Sequence, residues 1–288
     1  MNKAKKPTQD PVASSGERER IATLYGGSLT LRRNGAHRYF ANDVPCDVSM
    51  SAVEKVMDAP QLNAWKLREA LARVRRAFPP GTVMTEELSA MIEKLGTEAP
   101  DKKRDEAADQ GLALHDELEQ WTQGYLGALG SFPVTKASVD KLIEKLADAL
   151  YPQEALSAVL QMGDYLIANK AEILSAEQLI YSKKMKLPGT LDLRLRLNGH
   201  LAIGDYKVRS GVYENTRIQL TLEQAAASEE DGLKYQDRVV FLIQRKNGKF
   251  TGTFEPILFD DYRGDLKAAT SALKLVRWKK RFEKKWQK

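Results

Sequence analysis

Residues 188–208, PGTLDLRLRLNGHLAIGDYKV, decide the fold. Leu191, Leu193, Leu195 and Leu197 alternate with Asp192, Arg194 and Arg196, and Asn198-Gly199 separates them from a second extended run, His200 to Val208. Asn-Gly suits a two-residue hairpin turn because both central residues there need positive φ. With Leu197 opposite His200, the register sets Asp192 opposite Asp205 and Thr190 opposite Lys207. Side chains alternate across a strand, so Asp205 and Lys207 share a face and Asp192 joins them by its pairing. Directly opposed Cβ atoms lie about 5 Å apart, and like charges there destabilise a sheet unless something offsets them. A hard divalent cation, Mg²⁺ or Mn²⁺, is the natural offset, since it takes carboxylate, water and phosphate oxygens. Lys207 beside it would hold or activate a water and neutralise charge on a phosphorane-like transition state. A surface hairpin with a wet polar face is the plainer reading, but it would more naturally set a lysine opposite an aspartate.

The same residues carry a resemblance. Gly189-Thr190-Leu191-Asp192, followed by Ile203-Gly204-Asp205-Tyr206-Lys207, resembles the "GxxD … DxK" signature of the PD-(D/E)XK nuclease superfamily, and more closely its RecB-like, phage-type exonuclease branch. Gly111 to His115 is similar to that branch's helical "GxxxH" motif, whose His joins the metal site. Glu177 sits where the branch has an acidic residue at the start of the first core strand. Gln219 matches the Gln of its "QxxxY" motif, but Glu223 stands where the Tyr would be, so Tyr213 or Tyr235 is the stand-in for the aromatic DNA contact. The segment from Val44 to Lys66 resembles one near the start of phage-encoded members, with Cys46 to Met50 departing from the usual pattern.

The resemblance implies a metal-dependent DNA exonuclease. Asp192, Asp205 and His115, with the Tyr206 backbone carbonyl, would hold the ion; Lys207 would position the water; Glu177 and Gln219 would hold metal-bound water or substrate; Arg209 and one of the two tyrosines would contact DNA. An endonuclease of the same superfamily, or a non-catalytic DNA-binding recombination accessory protein, remains open. Further partners would be a recombination or single-strand-binding protein, and the place of action the cytoplasm, that of the host if the chain is phage-encoded.

A chain of 288 residues with 42% hydrophobic side chains is long enough for a substantial core. The single cysteine, Cys46, excludes an internal disulfide framework and suits a reducing compartment. Nor can it supply the four thiolates of the iron–sulfur cluster found in some RecB-like nucleases. The polar residues 1–20 read as a disordered start without an apolar leader, and no run reaches the roughly 20 apolar residues of a membrane span. Residues 24–45 read as a second hairpin about Asn34-Gly35, with His37 a half-exposed strand residue.

From about Ser49 to Ala171 the pattern is helical: Ala64, Leu67, Leu71 and Val74 form one apolar stripe, and Val139, Leu142, Leu146 and Leu150 another. Pro60, Pro79-Pro80, Pro133 and Pro152 mark breaks. The charged run Glu98 to Asp109 begins the helix bearing His115. Glu172 to Tyr181 turns extended, with Glu177, Leu179 and Tyr181 on one face. Thr216 caps a helix over Arg217 to Ala227, and Arg238 to Arg245 is a buried strand turned by Asn247-Gly248 into another. The expected architecture is α/β, a mixed sheet flanked by helices with a large helical N-terminal portion. Its parts are a tail (1–20), a hairpin plus helices (21–171), the sheet and its helix (172–258) and a basic C-terminal helix (259–288).

Residues 274–288 hold eight Lys or Arg against one acid, Glu283, while the whole chain is only +6. With Trp278, Phe282 and Trp286 at helical spacing, three readings stand. The aromatic stripe docks on the core and shows Lys279, Lys280 and Arg281 to nucleic acid; the helix lies on an anionic membrane; or it is a solvated tail.

Overall fold

The computed structural model describes residues 19–56, 60–78, 81–83 and 85–286, with side chains except at 60–66, 69, 95–110 and 283–286. Most of the N-terminal tail therefore lies outside the described residues. Arg20, assigned to that tail, instead opens strand β1.

Two sheets organise the chain. The first is antiparallel, with β1 (Arg20–Leu24), β2 (Leu29–Arg33), β3 (Tyr39–Ala41) and β4 (Val44–Pro45) in sequential order. His37 is not a strand residue; it has φ +56° in the turn between β2 and β3. Helices α1 (Met50–Glu54), α2 (Pro60–Ala77) and α3 (Glu86–Leu129) follow, then β5 (Phe132–Pro133), α4 (Lys136–Asp148) and α5 (Gln153–Ala168). The second sheet is completed by β6 (Glu172–Ser182), β7 (Leu187–Leu197), β8 (His200–Arg209), β9 (Asp237–Lys246) and β10 (Lys249–Leu258). Helix α6 (Glu214–Asp231) joins β8 to β9, and α7 (Tyr262–Trp286) ends the described chain.

The large sheet has the order β10-β9-β8-β7-β6-β5. Only β8 and β9 run parallel, because α6 carries the chain back across the sheet between them. The β7–β8 hairpin has the expected turn and register, from Leu197↔His200 to Leu193↔Gly204. Pairing stops there, one step before Asp192 and Asp205.

Helices cover both faces. Leu193, Leu195, Leu197, Tyr206 and Phe241 pack with α3, α4 and α5, whereas Leu187, Leu191, Ile203 and Val240 pack with α1, α6 and α7. Simple alternation would keep Leu191 with Leu193, so β7 changes face at Asp192. The neighbouring strand shows why. Glu177 falls between the pairs Ala176↔Leu193 and Gln178↔Leu191, hence beside Asp192, and has φ +50°. A non-glycine residue in the left-handed region inside a strand is strained, a feature that clusters at functional sites.

Several local expectations shift. Helix α3 does not begin in the charged run at Glu98: Thr85 caps it, accepting from the Leu88 amide at 3.2 Å, and its 44 residues span about 66 Å. Leu67 and Leu71 of the α2 stripe are 61% and 48% exposed rather than buried, because that helix lies along α3 and off the sheet. Leu150 is 89% exposed beyond the end of α4. Thr216 is inside α6, which starts at Glu214 with Tyr213 at its N-cap. Residue 171 is no structural break, since β5 pairs with β6 and one core cluster takes in α3, α4, α5 and the sheet. Two glycines allow close approach near the hairpin: a Cβ on Gly111 would sit 3.2 Å from the Val208 carbonyl oxygen, and one on Gly189 would collide with Met50. No helix among the described residues is long and apolar enough to cross a membrane.

Helix α7 is tied down by charge as well as by Ala269, Leu273 and Val276. Asp265 accepts from Arg238 Nη1 at 2.8 Å and from Arg217 Nε at 2.6 Å, and Arg238 is only 1% exposed. Breaking a buried pair leaves an uncompensated charge. Asp265→Ala is therefore expected to cost about 3–5 kcal/mol in urea unfolding, whereas Arg217→Ala, at a half-exposed guanidinium, should cost about 1 kcal/mol or less.

Candidate metal centre

The fork where β7 and β8 part is lined by acid. Asp205 on β8 is fully buried, and neither of its carboxylate oxygens has a hydrogen-bond partner of good geometry among the described residues. Lys207, two residues on and on the same face, brings Nζ to 2.6 Å from Asp205 Oδ2 as an ion pair. Asp192 arrives from β7, and His115 from α3 sets Nε2 3.7 Å from Asp192 Oδ2. One ligand atom each from His115, Asp192 and Asp205 lies within 4.8 Å of the others, so the three can hold a metal ion. Asp205 Oδ1 fits that use: a cation would satisfy an acceptor to which no described residue donates with good geometry.

Helix α3 places His115 by burying the opposite side of the same turns. Leu114 and Leu118 are fully buried, and Trp121 donates to the Ser138 carbonyl at 2.9 Å. Tyr206 supports the His115 ring edge-on at 6.3 Å between centroids. Its hydroxyl lies 3.4 Å from Thr122 Oγ1, and burial pushes it up to about 12. The Tyr206 side chain is thus a prop under the site.

A second tier of charge surrounds these groups. Glu177 accepts from Arg20 Nη1 at 2.7 Å, and the same guanidinium lies 3.5 Å from Glu119 on α3. Gln219 Nε2 donates to Glu223 Oε1 at 2.8 Å. Gln219 therefore reaches the site through Glu223, which is 1% exposed. On the far side Glu54 of α1 accepts from Asn215 Nδ2 at 2.9 Å and feels Lys207 and Arg209.

Burial and repulsion between acids dominate the protonation of the site. Burial pushes both Asp192 and Asp205 up, but hydrogen bonds from Asp205 and His115, with the Lys207 charge, hold Asp192 well below the usual range. Asp205 rises well above it, through burial and the Asp192 charge that Lys207 only partly offsets. The two carboxyls are thus pushed apart, as close carboxylates are. Burial and then Asp192 and Glu119 push Glu177 up to about 7, with Arg20 pulling the other way. Burial lowers His115, but the bond to Asp192 and its charge outweigh that and raise it. Lys207 is raised despite its burial, because Asp205 and Asp192 favour its charged form.

The chain matches no protein-family model, and no curated protein is significantly similar to it.

The residues expected to contact DNA are spread out. Arg209 donates to Thr216 Oγ1 and lies 5.5 Å from the ring centroid of Tyr213, which is 40% exposed at the start of α6, so this pair flanks the fork. Tyr235 does not: it is 3% exposed in the core, with its hydroxyl donating to Asp231 at 2.5 Å, and is not available to a nucleic acid. Lys279 and Arg281 are exposed on α7, while Lys280 turns inward to the Asp47 carbonyl. Trp278 and Phe282 are not docked on the core; they are 51% and 47% exposed, 5.1 Å apart, and the side chain of Trp286 lies outside the described residues.

Arg20, Glu54, Glu119 and Glu223 were not singled out from the sequence as parts of the site. Glu223 had a legible signal: it falls with Thr216, Leu220 and Ala227 on the buried stripe of α6, where a carboxylate is out of place. Arg20 had none, since it comes from another sheet, more than 150 residues away from Glu177.

A carboxyl whose value rises on folding binds its proton more tightly in the native state. The native state is then favoured at low pH, and the advantage is lost as the pH rises through the folded value. For Glu177 the window runs from the ordinary 4.5 to about 7. Metal-free protein should accordingly lose stability between about pH 5 and about pH 8, and Glu177→Gln should remove on the order of 2 kcal/mol of that slope in urea titrations with EDTA. An unchanged slope would contradict the assigned shift.

Proposed function

We propose that this protein is a divalent-metal-dependent deoxyribonuclease that hydrolyses phosphodiester bonds, acting as an exonuclease on DNA ends or single strands. One observation carries the reading: a fully buried aspartate, Asp205, ion-paired to a lysine, sits with a second carboxylate and a histidine whose ligand atoms lie within 4.8 Å of its own. The two carboxylates suit Mg²⁺ or Mn²⁺. The resemblance of Gly189 to Asp192 and Ile203 to Lys207 to the PD-(D/E)XK signature supplies the substrate class.

In this reading Asp192, Asp205 and His115 hold the ion, with the Tyr206 carbonyl as a further ligand. A bound Mg²⁺ or Mn²⁺ would polarise the scissile phosphate and acidify its water. Lys207 stays protonated against the two aspartates, so it acts as a hydrogen-bond donor and electrostatic stabiliser rather than a base. Its ammonium orients the attacking water and offsets charge gathering on the phosphoryl oxygens. Gln219 fixes Glu223, and Arg20 fixes Glu177, so that both side chains bordering the site have a set direction. Arg209 with Tyr213 offers a cation and a ring at the mouth of the fork, and the exposed basic stretch of α7 adds phosphate contacts. DNA is the partner this charge favours, and a recombination or single-strand-binding protein would act with it in the cytoplasm.

End-labelled linear single-stranded and duplex DNA, beside a closed circle, tests the reading with Mg²⁺, Mn²⁺ or EDTA. Loss of the linear forms only, in metal only, is expected. Cutting of the circle would mean an endonuclease, and no cutting in any metal a DNA-binding protein. Asp205→Asn and Lys207→Ala should each lower the rate by at least about 10³-fold in protein that still folds, because each removes charge that acts at the transition state. Replacing Lys279 and Arg281 with Glu should weaken DNA binding and flatten its dependence on salt.

A further inference from the structure

Glu223 has no assigned task, yet it is the most anomalous side chain of α6. It is 1% exposed, its Oε1 accepts from Gln219 Nε2 at 2.8 Å, and its Oε2 has no hydrogen-bond partner among the described residues. Helix α6 packs against β7 and β8, and after burial the charges of Asp192 and Asp205 are what push the Glu223 carboxyl well above the usual range, with Gln219 and Lys207 pulling back, so it lies within electrostatic reach of the fork. A tyrosine occupies the matching place in the pattern that the chain otherwise resembles. Here a carboxylate has been put into the interior, which is unfavourable unless a counter-charge meets it.

The local charges say what is missing. Glu177 and Glu119 share Arg20, and Glu54 sits near Arg209. Asp192, Asp205 and Glu223 then face only Lys207 and His115, so acids outnumber cations around the fork. A doubly charged ion would offset that excess. Glu223 is not among the groups whose ligand atoms fall within 4.8 Å of one another, so it is set back from the ion itself. At that remove a carboxylate accepts from water in the ion's coordination shell, and such partners orient the shell and tune affinity.

We propose that Glu223 is the third carboxylate of the divalent-cation site, taking a water of the ion's coordination shell through Oε2 while Gln219 fixes its direction. The inference rests on reading His115, Asp192 and Asp205 as ligands, and it assigns to α6 a part in metal binding as well as in packing.

Mn²⁺ titrated into the full-length protein, followed calorimetrically and by the electron-spin signal of free Mn²⁺, tests it without reference to activity. Glu223→Gln should weaken Mn²⁺ binding by about 10–100-fold, the usual cost of losing such a partner. Gln219→Ala should weaken binding in the same direction by a smaller factor. Normal Mn²⁺ affinity in a folded Glu223→Gln would overturn the proposal and leave the metal centre standing. A wild-type protein that binds no Mn²⁺ would overturn the ligand assignment itself, and this inference with it.

Discussion

Mutual repulsion among buried carboxylates is the constraint on which the rest of this structure turns. Asp192 and Asp205 meet at the point where β7 and β8 part, and neither burial nor proximity favours two negative charges there. The fold answers with cations delivered from several elements: Lys207 from the same strand, His115 from α3 and Arg20 from the other sheet. Each arrives on an element whose other side is anchored in a core. The charged cluster is thus positioned by apolar packing on the other side of each element.

That division of labour explains the long helix and the small sheet. Helix α3 buries Leu114, Leu118 and Trp121 so that His115 and Glu119, on the same turns, are turned toward the fork. The antiparallel sheet closes over β6 through Leu24, Leu31, Leu179 and Tyr181, and the Tyr39 hydroxyl lies 3.0 Å from Thr190 Oγ1. Arg20 then reaches Glu177, whose left-handed backbone is the local distortion that lets β7 change face at Asp192. In metal-free form the centre stores unfavourable electrostatics that a divalent ion would relieve.

The C-terminal helix shows the opposite economy. Its inner side is held by Ala269, Leu273, Val276 and the Asp265 ion pairs, and its outer side presents Trp278 and Phe282 among lysines and arginines. Unpaired bases stack on such rings, and phosphates meet such charges. The proposed nucleic-acid partner therefore draws on two surfaces, the fork itself and this ridge.

The hairpin was legible because period-two leucines and Asn-Gly leave one register, and the register brought Asp192 beside Asp205 without any help from the rest of the chain. The mixed sheet followed from β8, a helix and the continuous apolar strand β9, since a parallel pair needs a crossover. Local pattern failed where partners come from afar. The exposure of Leu67, Leu71, Trp278 and Phe282, the burial of Tyr235, the bridge from Arg20 and the inward carboxylate of Glu223 all depend on which surfaces meet. By itself the sequence determined the α/β class, the central hairpin and the Asp192, Asp205 and Lys207 cluster, because strand alternation and a two-residue turn act within a few residues. Only the tertiary structure decided what surrounds that cluster, because burial and charge pairing are properties of elements brought together from across the whole chain.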